Sequence, residues 1–131
     1  MQLALPTRRS ALLLSVTAAL LGMLLWGFKT PGAILAQGAQ REFAISARKY
    51  TFSPQRIEVQ QDDLVKITLA AEDIPHSFTI DNYRIAKRAS PGQPVVFEFR
   101  ADRPGTFPFY CNLTIDARCQ EMRGELVVTP K

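Results

Sequence analysis

Beyond residue 40, apolar residues recur at every second position. Ile57 and Val59 alternate with Arg56 and Glu58, and Val65, Ile67 and Leu69 with Lys66 and Thr68. Phe97 and Phe99 alternate with Val96, Glu98 and Arg100; Phe107, Phe109 and Cys111 share one face; Leu126 and Val128 close the chain. A period of two is the signature of strands with one buried face. Turn residues punctuate the runs at Ser53-Pro54, Gln61-Asp62-Asp63, Asp81-Asn82, Pro91-Gly92 and Pro104-Gly105. No segment after residue 40 carries a sustained helical repeat with caps. The spacing predicts an all-β sandwich of about seven strands, with Phe97, Phe99, Phe107 and Phe109 in its core rather than on a binding platform.

The N-terminal segment follows a different pattern. Arg8 and Arg9 precede eighteen uncharged residues, Ala11 to Phe28, and then Lys29, Pro31 and Gly32. A positive region followed by an apolar run is an export signal. Two readings stand: cleavage after Ile34-Leu35-Ala36, or an uncleaved anchor near the shortest length that crosses a bilayer. Both place the remainder of the chain outside the cytoplasm, on the periplasmic or extracellular face. Arg8-Arg9 also leaves twin-arginine export open beside the general route. The expected division is residues 1–36 as signal or anchor and 37–131 as one exported β-domain.

Length and charge narrow the function classes. A chain of 131 residues suits a single domain, not an enzyme with separate cofactor and substrate domains. Its net charge of +4 owes three cations to the leader; without them 13 Lys/Arg face 12 Asp/Glu. That balance is no nucleic-acid footprint. The small cluster Arg84, Lys87, Arg88 reads as a solvated surface or a dock for an acidic redox partner.

The chemistry-bearing residues are few. One histidine, His76, stands where a loop enters a strand; Cys111, Cys119 and Met122 lie on one loop between the last two strands. Ser77 beside His76 is no nucleophile–base pair, because neighbours on a strand point to opposite faces. No catalytic residue is therefore assigned, and the chain does not read as an enzyme. Thiolate, thioether and imidazole together suit copper. Two cysteines with seven residues between them do not match a zinc finger or ribbon. The competing reading is a Cys111–Cys119 disulfide, which an oxidising compartment favours and which would stabilise the fold by roughly 2–3 kcal/mol.

Three motifs carry a resemblance: D-x-x-H-S-F-x-I at 73–80, a Pro-Gly turn at 91–92, and G-x-F-x-F-Y-C at 105–111, with M-x-G at 122–124 closing the loop. From Phe43 to Val128 the chain resembles the cupredoxin family, in particular the copper domains of cytochrome c oxidase subunit II and nitrous-oxide reductase. The resemblance implies a Greek-key β-sandwich that binds copper. In those domains the loop reads C-x3-C-x3-H-x2-M. Cys111, Cys119 and Met122 keep its first, third and fourth positions, but Ile115 replaces the second cysteine and Cys119 the histidine. Ile115 cannot bridge two metals, so the dinuclear centre is not expected, and a single imidazole is one short of the mononuclear blue site. What remains is a soft site for one copper ion: His76, Cys111, Cys119 and Met122. Electron transfer is the first functional reading. Cu(I) delivery to a membrane oxidase, and a metal-free module stapled by the disulfide, stand beside it. Oligomeric state is left open, including a dimer that shares two His76 rings.

Overall fold

The computed structural model describes residues 38–131, so the expectations for residues 1–36 lie outside the described residues. Nine strands form two sheets: β1 (Gln40–Arg48), β2 (Thr51–Ser53), β3 (Arg56–Gln60), β4 (Leu64–Ala71), β5 (His76–Ile80), β6 (Ile85–Ala89), β7 (Val95–Arg100), β8 (Gly105–Tyr110) and β9 (Arg123–Thr129). One sheet runs β2-β1-β4-β7 and the other β3-β9-β8-β5-β6. The pairs β1–β4 and β3–β9 are parallel and the remaining ladders antiparallel. Among the described residues the helical content is two short 3-10 turns, Asp81–Tyr83 and Ala117–Glu121.

The sandwich exceeds the expected seven strands for a physical reason. β2 has three residues, too short to show a period. β6 reads Ile-Ala-Lys-Arg-Ala, and four of its five residues keep some solvent exposure because it is the last strand of its sheet. Where a strand does separate core from solvent, the alternation holds. β4 sends Val65, Ile67, Leu69 and Ala71 inward, and β3 sends Ile57 and Val59 inward.

β5 breaks the alternation: all five of its residues are buried. It lies between β8 and β6, and its first two residues, His76 and Ser77, meet the loop that follows β8. The core between the sheets is aromatic. Phe78 stacks on Phe109 at 4.6 Å, and Phe52 meets both rings edge-on at 6.1 and 5.3 Å. Burying a ring of this size is worth roughly 1.5–3 kcal/mol. Of the four phenylalanines expected in the core, Phe97 and Phe109 are there. Phe99 and Phe107 are only partly buried and pack around Tyr83 at ring distances of 5.0 and 5.2 Å. The aromatic rings thus form a second, peripheral cluster beside the core.

One buried charge pins the entry to β4. Asp63, 2% exposed, accepts the backbone N–H groups of Ala39 and Gln60 and the guanidinium of Arg41 at 2.9–3.2 Å. Burial alone would raise its pKa, but those donors outweigh it and hold the carboxyl below the ordinary range.

Candidate metal centre

The two sequence segments that hold soft or nitrogen ligands meet at one end of the sandwich. His76 opens β5, and Cys111 follows directly on β8, the neighbouring strand. The loop from Cys111 to Met122 then turns back into β9. Its return is a 3-10 turn capped by Asp116, whose carboxylate accepts the N–H of Arg118 at 3.0 Å. This turn buries Cys119. Met122 is fully buried at its end, and the Met122 carbonyl accepts the N–H of Cys111 at 3.4 Å, which closes the loop on itself.

His76, Cys111 and Cys119 are all fully buried, and one ring nitrogen and both sulfurs lie within 4.8 Å of one another. The two cysteines are joined as a disulfide with a Cα–Cα distance of 5.4 Å. Both sequence readings of this pair thus meet at one place: the oxidised pair is a staple, and the reduced pair would set two thiols beside an imidazole.

Nε2 of His76 lies 2.7 Å from Oδ1 of Asp73. Burial works against the Asp73 charge, but the Lys49 N–H, His76 and the Ile74 N–H outweigh it and lower the pKa to about 2. An ionised carboxylate only accepts, so Nε2 carries the proton in the neutral ring and Nδ1 keeps its lone pair. Nδ1 is buried and has no hydrogen-bond partner. Buried polar atoms are nearly always paired, and a carboxylate behind an imidazole is the usual support of a metal-binding histidine. The donor set fits a soft metal ion once the disulfide is reduced, and does not fit one while the sulfurs are bonded to each other.

Three supporting residues carry no signal in the hydrophobic pattern. Ser77 donates its N–H to Cys111 Sγ at 3.5 Å. Its hydroxyl lies 2.7 Å from Asn112 Oδ1, accepts the Asn112 N–H at 2.8 Å, and stands 3.7 Å from Cys111 Sγ. The single hydroxyl proton therefore goes to the amide oxygen. Tyr50, on the β1–β2 turn, donates to Asp116 Oδ2 at 2.8 Å, and the Arg118 guanidinium covers its ring at 4.2 Å. Its neighbour Lys49 donates its N–H to Asp73 Oδ2 at 2.7 Å. One turn thus holds both the loop with Cys119 and the carboxylate behind His76. A short-range cue existed only for Asp73, three residues before His76.

Gly124, the last residue of the M-x-G motif, is required by packing. It faces Phe109 across the β8–β9 ladder, and a Cβ there would run into the Phe109 ring and stand 2.6 Å from the carbonyl oxygen of Gln55.

Known proteins carry the same fold. The Cupredoxin-like domain family model matches residues 17–128. Nitrous-oxide reductase of Stutzerimonas stutzeri is 29% identical over 105 residues, 77% of this chain and 16% of that protein. Cytochrome c oxidase subunit 2 of Thermostichus vulcanus is 34% identical over 68 residues, 51% of this chain and 20% of that protein. The chain therefore spans only a small part of the length of the curated relatives it matches. Among solved structures, the periplasmic domain of subunit II of cytochrome oxidase from Bradyrhizobium japonicum superposes with a TM-score of 0.61 at 13% identity. That match covers 69% of this chain and 84% of the other, and it speaks for the fold. Fold and family match agree, and the chain belongs to the cupredoxin-like domain family, related to the copper domains of electron-transfer proteins.

Proposed function

We propose that residues 37–131 form an exported electron carrier that holds one copper ion between the reduced sulfurs of Cys111 and Cys119, the Nδ1 nitrogen of His76 and the thioether of Met122. The observation that carries this reading is a buried His76 whose ring lies beside two cysteine sulfurs and whose Nδ1 has no hydrogen-bond partner. A structural histidine usually pairs both nitrogens. Copper bound there supplies a one-electron couple, and a set with two sulfurs and one imidazole favours Cu(I).

The chain's own residues do the rest. Asp73 fixes the tautomer and orientation of His76. The Ser77 N–H places a dipole against Cys111 Sγ, which favours negative charge on that sulfur. Cys111, Cys119 and Met122 are themselves fully buried while most of the loop between them is exposed, so water is kept from the sulfurs but not from the loop. Before metal can enter, a thiol reductant must deliver two electrons and two protons to the Cys111–Cys119 bond.

The disulfide gives a second reading its support. A pair that can close on itself can also give up its metal, which suits a Cu(I) carrier that supplies an oxidase. Anaerobic titration of the reduced protein with Cu(I) tests the shared ground. One tight equivalent that blocks both thiols, lost in Cys111→Ser and weakened in His76→Ala, is expected. A thiolate charge-transfer band on oxidation with metal retained would select electron transfer; rapid release to a Cu(I) chelator would select delivery. A reduced protein that binds no copper and simply re-forms its disulfide in air sinks both.

A further inference from the structure

Most cations of the domain are engaged. Arg41, Arg48, Arg56, Lys66, Arg103 and Arg118 each pair with a carboxylate. Arg100 donates to the Asp62 carbonyl and Arg123 lies over the Tyr110 ring. Among the described residues, the side chains of Arg84, Lys87 and Arg88 are different, and the isolated Lys49 is the one other cation whose side chain makes no hydrogen bond, ion pair or ring contact. All three are exposed, and none meets a carboxylate, a carbonyl or a ring. The nearest acid in sequence, Asp81, turns both oxygens to the Tyr110 hydroxyl at 3.1 Å. In a domain of nearly balanced charge, three uncompensated cations within five residues make a local positive field. Arg84 also sits in left-handed backbone, φ 54°, where Gly or Asn is the low-strain residue.

The position of this cluster matters as much as its charge. Lys87 and Arg88 lie on β6, the open edge of the five-stranded sheet, with Arg84 just before it; as strand neighbours Lys87 and Arg88 point to opposite faces, so the three flank the edge itself rather than one face. β6 pairs with β5 in the register His76↔Ala89, Ser77↔Arg88 and Phe78↔Lys87. Ser77 in turn donates its N–H to Cys111 Sγ. One ladder partner therefore separates Arg88 from a residue in contact with the sulfur.

We propose that Arg84, Lys87 and Arg88 form a docking surface for an acidic patch on a protein partner of the site. The proposal deepens the copper reading, because a partner seated on β6 lies beside the strand that carries His76. Anionic lipid would satisfy the same charges, but a headgroup gains nothing from the adjacent Ser77–Cys111 contact. Edge lysines also discourage strand-to-strand aggregation. Charge reversal preserves that protection while inverting the field, so the two roles separate.

The test uses the metal-free full chain in nonionic detergent, and so stands apart from whether copper binds. Its amide resonances are followed during titration with hexaglutamate at low and high salt. Saturable binding is expected, with shifts confined to 84–89 and across the ladder to 76–78, and weakening steeply as salt rises. The triple variant R84E/K87E/R88E should lose roughly tenfold or more in affinity, and the neutral triple R84Q/K87Q/R88Q an intermediate amount. Lys66→Glu, a charge change on β4 of the other sheet, should leave binding within about twofold. Shifts centred elsewhere, no saturation, or a charge-reversed triple that binds like the parent would overturn the proposal. Phosphatidylglycerol vesicles that outcompete the peptide through the same three residues would overturn it in favour of a lipid surface.

Discussion

Replacing Gly124 by Ala puts a single methyl group where the fold has no room. The new Cβ would stand 2.6 Å from the Gln55 carbonyl oxygen and press into the Phe109 ring, where ordinary contact needs about 3.5 Å. Neither neighbour can retreat cheaply. Phe109 is fully buried, stacked on Phe78 and held edge-on by Phe52. The Gln55 carbonyl accepts the Glu125 N–H at 2.8 Å, tying it to β9 itself. A displacement of about 1 Å in a packed aromatic core belongs at the upper end of the ~1–3 kcal/mol cost of overpacking. For a domain of this size that is a fall in melting temperature of roughly 10–20 °C. Gly92→Ala is the comparator: its Cβ meets nothing within 4 Å, and only the left-handed backbone at φ 73° opposes it, for about 1 kcal/mol. Thermal melts of the disulfide-intact proteins, read by circular dichroism, rank the two. Against Phe109→Leu alone, which removes the ring edge, adding Gly124→Ala should cost clearly less than it does in the parent, a recovery read from the double-mutant cycle. If Gly124→Ala melts no lower than Gly92→Ala, or the cycle shows no recovery, the packing argument is wrong.

Three further outcomes are expected. Asp63 has its pKa depressed in the folded state, so its stabilisation is present above the ordinary carboxylate pKa and disappears as pH falls through the lower folded value. Urea midpoints of Asp63→Asn should accordingly be lower at neutral pH, by about 1–3 kcal/mol, and converge with the parent in acid. Ser77→Ala removes the buried hydroxyl that accepts the Asn112 N–H at 2.8 Å and donates to Asn112 Oδ1 at 2.7 Å; denaturant titration should show a loss of about 1–2 kcal/mol, and Ser77→Thr should restore part of it. Tyr50→Phe removes the hydrogen bond to Asp116; hydrogen exchange should quicken at residues 116–122 while the β4 amides stay protected, and unchanged exchange in that loop would show the contact to be idle.

Legibility in the sequence followed distance along the chain. Strands with one wet and one dry face announced themselves, as β3 and β4 did. β6 did not, because an edge strand is wet on most of its residues. The loop residues Cys111, Cys119 and Met122 were legible from their types and spacing. Where they would lie relative to His76 was not, since that depends on β5 and β8 becoming neighbours. The supports were hidden for the same reason: Lys49 reaches Asp73 across 24 residues and Tyr50 reaches Asp116 across 66. Ser77 shows how a correct local rule can stop short. It is no base partner of the His76 ring, yet its backbone N–H donates to Cys111 Sγ and its hydroxyl stands 3.7 Å from it, which only the β5–β8 neighbourhood makes possible.

The seam between β5 and β8 is thin, with Thr79↔Tyr110 the single residue pair in register. Side chains at its open end, Ser77 with Cys111 and Asn112, substitute for the missing rungs. A ligand gripping His76 on one side and the cysteines on the other would act as an extra rung. By mass action its stabilising effect grows as RT ln(1 + [L]/Kd). The rigidity of this end of the molecule would then follow the free copper level around it, and exchange at Thr79 and Tyr110 would report that level as a gauge reports pressure.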